Sequence, residues 1–181
     1  SSGAGFPHAT QVSVEVLIDL ARRVEDAGAQ RLTLYDTNGS ADPFETRDRV
    51  GRVCAAVRIP VFFHGHNDLG LATANALAAV EGGATGLDVT VNGLGDRAGN
   101  VSLEQIVILL RLRGWASAVS PASLRHLCRL VEAESQVAIS PLAPVVGESV
   151  FQHQSPAHHE APGEFEAYEP RLVGGERRIV G

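Results

Sequence analysis

Two histidines one residue apart, His64 and His66, are the side chains in this sequence best spaced to work on a metal ion. They stand in Val61-Phe62-Phe63-His64-Gly65-His66-Asn67-Asp68-Leu69-Gly70. Val61 to Phe63, after the turn-forming Pro60, reads as a buried strand. Side chains alternate along an extended chain, so both rings leave it on one face, roughly 7 Å apart at the backbone. That separation lets two imidazoles converge on one ion. Taken alone, a His-x-His is equally compatible with one structural and one exposed histidine. Asp68 and Gly70 supply the turn into an Ala-rich helix, Leu71 to Val80, so the pair lies at the C-terminal end of a strand feeding a helix.

The elements that must position the pair belong to a chain of ordinary globular composition: 44% hydrophobic, 20% charged, 19 glycines and a net charge of −6 over 181 residues. Acids and bases are intermixed, which argues against nucleic acid as a partner because phosphate binding needs a basic face. No apolar run reaches membrane-spanning length, so no membrane partner is expected. Cys54 and Cys128 lack metal or redox spacing. Both read as small buried thiols, with a reducing cytoplasm as the default setting.

Ser1 to Thr10 shows no periodicity and starts as though cut from something longer. From the N-cap candidate Ser13, apolar positions Leu17, Leu20, Ala21 and Val24 follow helical spacing, closed by Gly28 as an αL cap. Arg31 to Tyr35 is a strand with Asp36-Thr37-Asn38-Gly39 at its C-terminal end, and Asp42-Pro43 opens a helix running to about Val57. After the His-x-His strand and its helix, Leu87 to Val91 reads as another strand. Ser102 and Gln105 then form a capping box, with Val101 and Ile106 as a hydrophobic staple. Ser120-Pro121 starts a helix with Leu124, Leu127, Cys128 and Val131 on one stripe. From Ser140 the periodicity stops, and an extended tail or small cap is expected.

The segments Val24-Glu25 to Asn38-Gly39 and Val80-Glu81 to Asn92-Gly93 share a Val-Glu, a Gly-Ala turn, an apolar alternation and a closing Asn-Gly. Two helix-turn-strand units flanking the histidine strand imply parallel β/α repetition. A full eight-fold barrel takes about 250 residues, and a doubly wound sheet would show a Gly-rich phosphate loop that is absent here. The expected fold is therefore α/β, the C-terminal half of a (β/α)8 TIM barrel. Residues 1–139 form the partial catalytic barrel and 140–181 a linker and small cap subdomain. Such a half exposes sheet edges, so the expected macromolecular partner is an N-terminal half-barrel or a homo-oligomer.

At His64-Gly65-His66-Asn67-Asp68-Leu69-Gly70-Leu71-Ala72 and Asn92-Gly93-Leu94-Gly95-Asp96-Arg97-Ala98-Gly99-Asn100 the sequence resembles the homocitrate synthase and 2-isopropylmalate synthase family. These are metal-dependent TIM-barrel acyltransferases related to the HMG-CoA lyases. Pro144 to Glu148 and Val173 to Arg178 extend the resemblance. It implies that His64 and His66 are metal ligands and that Asn100 is a further ligand, direct or more distant. An Asn carbonyl suits a hard divalent ion, although a loop amide also satisfies backbone groups. Thr37 matches a residue that binds the 2-oxo acid's carboxylate; without the family it is a turn hydroxyl. His158 matches the catalytic histidine; without the family it shares a His-rich surface segment with His153 and His159. Asp96, in the place of the family's Glu, orders its loop together with Arg97.

The implied activity is Claisen-type condensation of acetyl-CoA with a 2-oxo acid on a divalent cation, for which two His and oxygen ligands admit Zn, Mn, Mg, Co or Fe. The partners are then a small 2-oxo acid and an acyl-CoA. The family's N-terminal Asp-containing strand motif is absent, so condensation is expected only together with that half. Pro7 stands near the synthases' catalytic Glu, Phe165 near a functional Tyr, and Ala161 in place of a Gly. Gly5-Phe6-Pro7-His8 lies closer to the lyase pattern, which keeps an HMG-CoA lyase-like carbon–carbon cleavage open. A non-catalytic half-barrel subunit or fragment is the third alternative.

Overall fold

The computed structural model describes residues 2–115 and 117–180. The chain divides into two compact units, Ser1–Ile106 and Val107–Gly181. The boundary expected at 139/140, where the periodicity stops, falls within the second of these units.

The first unit is built on a four-stranded parallel sheet of β1 (Gly3–Phe6), β2 (Arg31–Asp36), β3 (Val61–Gly65) and β4 (Gly86–Asp88). Between them run α1 (Val14–Asp26), α2 (Pro43–Ala56) and α3 (Ala72–Glu81). Every strand pairs with the next one in sequence, so the order is β1-β2-β3-β4 without reversal. An unreversed β/α succession is the barrel pattern, and a doubly wound sheet would switch direction. The expected α/β fold with parallel repeats is borne out.

The helices form where the sequence caps them. Ser13 Oγ accepts from Val16 N–H at 3.4 Å, and Gly28 turns the chain out of α1 at φ 89°. Asp42 Oδ1 accepts from Phe44 and Glu45 N–H at 2.8 and 2.9 Å, with Pro43 in the first turn of α2. Leu17 and Ala21 of α1, Val50 and Val53 of α2, and Ala76 and Ala79 of α3 are buried. So are Leu32, Leu34, Val61 and Phe63 of the sheet. Each large side chain in that set contributes roughly 1.5–3 kcal/mol by leaving water.

The structure departs from the sequence reading in four places. Gly3–Phe6, expected to be irregular, is an edge strand paired parallel to β2, Gly3 with Arg31 through Phe6 with Leu34. Four residues with two glycines carry no periodic signal, and only the neighbouring strand supplies the pairing. The strand expected over Leu87–Val91 ends at Asp88, because Thr90 turns to bridge Ser102 and Asn92 takes a left-handed φ of 59°. The capping box is half formed: Ser102 Oγ accepts from Gln105 N–H at 3.3 Å, whereas the Gln105 side chain accepts from Thr73 Oγ1 at 3.1 Å. Cys128 is buried, but Cys54 is only partly so.

The helix α4 (Leu103–Leu112) runs across the division between the units. In the second unit a 3-10 turn, Pro121–Ser123, leads into α5 (Leu124–Ser135), which buries Leu124 and Cys128 and ends at Gln136 with φ 59°. The segment beyond 140 holds a short parallel pair, β5 (Gln152–His153) with β6 (Arg178–Ile179), and a single-turn helix α6 (Pro156–His159). No helix among the described residues is long and apolar enough to cross a membrane.

Candidate active site

Tyr35, His64 and Asp88 form a row across the C-terminal ends of three strands, since Tyr35 is in register with His64 and His64 with Asp88. Val61, Phe63 and Gly65 are the buried positions of β3, so period-two alternation turns His64 to the opposite, more accessible face. The Tyr35 and His64 rings lie 4.9 Å apart, and His64 Nδ1 is 3.4 Å from Asp88 Oδ2. His66 follows on the same face. Its ring centroid is 5.1 Å from that of His64 with 57° between the planes. Two imidazoles bonded to one ion at about 2.0–2.1 Å place their centroids about 5 Å apart, so the spacing fits a shared cation.

The surrounding polar atoms fit as well. His66 pairs in an antiparallel bridge with Asn100. His66 Nδ1 and Asn100 Oδ1 are both buried and have no hydrogen-bond partner. Two orphaned polar atoms on bridge-paired residues cost free energy unless a partner or a cation satisfies them. Burial, reinforced by the positive Arg97 and by His64, holds His66 below the ordinary histidine range and so favours the neutral ring that ligation needs. Among the described residues no three His, Cys, Asp or Glu side chains converge on a metal position. The groups here whose chemistry could hold a cation are the imidazoles of His64 and His66 and the amide oxygen of Asn100.

The loops carrying these groups are fastened to one another. Arg97, itself at φ 55°, donates through Nε and Nη2 to the two oxygens of Asp68 at 2.8 and 2.9 Å, and through Nη2 to the Thr37 carbonyl at 2.8 Å. One guanidinium thus ties the loops after β2, β3 and β4, and the Arg97 hydrogen bond keeps Asp68 below the usual carboxylate range. Gly39, at φ 62°, admits the close approach of the first two loops: a Cβ there would lie 2.6 Å from Asp68 Oδ2. Thr37 Oγ1 accepts from His8 N–H at 2.9 Å, which leaves the hydroxyl proton free to donate outward. The fully buried Asp36 was not singled out by sequence reasoning. It accepts from Thr10 Oγ1, Ser40 N–H and Ala41 N–H at 3.1, 3.2 and 3.3 Å and shapes the loop that presents Thr37. Its only signal was its place at the end of an apolar strand. Asp88 was likewise missed, because only the strand register puts it beside His64.

His158 belongs to the second unit, on α6. Its Nδ1 is 3.2 Å from His153 Nδ1, and its ring stacks on Phe165 at 3.8 Å and 15°. His153 is buried, and its Nε2 is 3.0 Å from Glu166 Oε1. The first unit brings His64, His66 and Asn100 together, with Thr37 on an adjoining loop.

A family model described as HMGL-like matches residues 2–131. The chain belongs to this HMGL-like family. It is 39% identical to homocitrate synthase 1 of Nostoc sp. over 97% of its own length and 48% of that protein. With 2-isopropylmalate synthase 2 of Caldanaerobacter subterraneus it shares 40% identity over 95% of this chain and 46% of the relative. The chain thus spans about half the length of these two relatives. The HMG-CoA lyase structure from Bacillus subtilis superposes with a TM-score of 0.64 at 26% identity, covering 75% of this chain and 48% of the lyase. The HMGL-like match takes in both motifs around His64 and Asn100.

Proposed function

We propose that this chain is the C-terminal part of an acyltransferase that condenses acetyl-CoA with a 2-oxo acid, in the manner of homocitrate and 2-isopropylmalate synthases. The observation that carries the reading is the pairing of His64 with His66 at 5.1 Å, with His66 Nδ1 and Asn100 Oδ1 both buried and without partners. His64, His66 and Asn100 would hold a divalent cation of the Zn, Mn, Mg, Co or Fe kind, and an N-terminal half would complete the set. When bound, that cation supplies Lewis-acid polarisation of the substrate carbonyl.

The remaining chemistry falls to the side chains. The Thr37 hydroxyl donates a hydrogen bond to the 2-oxo acid's carboxylate, and Arg97 keeps the loop that carries it from drifting. His158 takes a proton from the acetyl methyl group: the C–H bond breaks, an N–H bond forms, and the electron pair stays on the thioester as its enolate. That carbon then bonds to the carbonyl carbon of the oxo acid, whose π pair moves to oxygen, and the resulting alkoxide takes a proton from water to become the alcohol. Hydrolysis of the thioester releases CoA and makes the sequence irreversible. In this division of labour residues 1–139 provide the barrel wall and 140–181 the cap carrying the base. A cytoplasmic setting and a homo-oligomer or half-barrel partner accompany the reading.

The test is condensation measured as CoA release from acetyl-CoA with a panel of 2-oxo acids. The chain is assayed with an N-terminal half-barrel supplied, alongside its His64→Ala variant. CoA release that requires both the oxo acid and His64 supports the proposal; release independent of the oxo acid or of His64 overturns it. A second reading, cleavage of a hydroxyacyl-CoA, is favoured by the lyase-like Gly5-Phe6-Pro7-His8 and by the superposition on the lyase. Acetyl-CoA production from such a substrate, with no condensation, selects it.

A further inference from the structure

In the second unit a chain of polar contacts runs from Arg177 through Glu166 and His153 to His158, and the condensation scheme uses only its last member. Arg177 grips Glu166 with both ends of its guanidinium, Nε to Oε1 at 2.8 Å and Nη2 to Oε2 at 2.6 Å. The Glu166 side chain is only 4% exposed and that of His153 only 6%. Glu166 Oε1 lies 3.0 Å from His153 Nε2, and His153 Nδ1 lies 3.2 Å from His158 Nδ1. The stacked Phe165 ring holds His158 in its plane.

Proton bookkeeping along this chain has one solution when both imidazoles are neutral. A carboxylate held by Arg177 can only accept, so His153 Nε2 carries the hydrogen. The other nitrogen of a neutral His153 is then an acceptor, which obliges His158 to donate from Nδ1. A neutral His158 with its hydrogen on Nδ1 presents a bare lone pair at Nε2. We infer that Glu166 and His153 are positioning residues that fix the tautomer of His158 and leave its Nε2 free to take a proton. The same chain disperses the charge formed afterwards: a hydrogen gained at His158 Nε2 makes an imidazolium whose Nδ1–H points, through His153, at an anion. The hydrogen bonds from Arg177 and His153 also hold the Glu166 carboxyl down to about 2, so the acceptor at the far end stays ionised. In free histidine the hydrogen prefers Nε2, so the tautomer at His158 is one the surroundings must impose.

The inference rests on the reading of His158 as base, and the experiment separates the two. Nitrogen-15 NMR of the histidine rings in the wild-type chain should show His158 with its hydrogen on Nδ1 and a bare Nε2, and His153 with its hydrogen on Nε2. His153→Phe should move the His158 hydrogen to Nε2. The same variant, assayed with the N-terminal half, should lose kcat by about 100-fold while KM for the oxo acid is unchanged. A wild-type His158 that already carries its hydrogen on Nε2 overturns the inference without any variant. So does a His153→Phe chain whose His158 tautomer is unaltered. If the tautomers are as stated but no condensation occurs, the proposed function fails and the relay stands.

Discussion

Two pairs of histidines in this molecule look alike and are finished in opposite ways. His64 and His66 have ring centroids 5.1 Å apart and planes at 57°; His153 and His158 are at 5.4 Å and 68°. Around the first pair His66 Nδ1 is buried without a hydrogen-bond partner, and the bridge-paired Asn100 leaves its amide oxygen in the same condition. Around the second, each facing nitrogen is engaged and the chain ends on an ion pair of Glu166 with Arg177. The distance between imidazoles therefore says little by itself. What the neighbours leave unsatisfied separates the two: open buried atoms around the pair proposed to receive a cation, engaged nitrogens in the pair proposed to hold a proton in place.

The comparison breaks most decisively at His64. His64→Ala should abolish measurable stoichiometric Zn or Mn binding, whereas His153→Ala should leave metal content unchanged; elemental analysis after dialysis distinguishes them. Equal loss in both would erase the contrast between the pairs. Asn100→Ala should weaken the same metal by about 10-fold, a smaller effect because a neutral amide oxygen is a weaker donor than an imidazole, and calorimetric titration measures it.

The second pair is probed by acid. The Glu166 carboxyl is at about 2 in the fold against an ordinary 4.5, so its stabilising contribution is complete above about 4.5 and drains away as the pH falls toward 2. Denaturation of the wild type followed across that window should steepen with acid, and Glu166→Gln should flatten the slope; parallel curves would show that the ion pair does not contribute. The smallest effect is expected at Arg97. Its bonds to Asp68 and Thr37 lie at the surface, so Arg97→Ala should leave global stability nearly unchanged. Hydrogen exchange at the loop amides near Thr37, Asp68 and Asn100 should nevertheless quicken.

Most of the first unit was legible along the chain. Caps at Ser13 and Asp42, the helical stripe of Leu17 and Ala21, and the apolar run into His64 each encode an element within a dozen residues. Gly3–Phe6 was not legible, because a four-residue strand with two glycines becomes a strand only through pairing with β2. Leu87–Val91 was overextended for the mirror-image reason: local β propensity continued past Asp88, but Thr90 found a better partner in Ser102.

The site divides along the same line. Sequence alone determined that two imidazoles share a strand face and that the Asn92–Asn100 loop follows the next strand, since period-two alternation and turn chemistry act over neighbouring residues. Tertiary structure decided that Asn100 lies against His66 and that one guanidinium joins three loops. It likewise decided that Asp88 stands beside His64 and that Glu166 closes on His153. Those contacts join residues 13 to 60 positions apart or depend on strand register, and they form only when burial of the surrounding apolar groups has already offset the entropy of bringing the segments together.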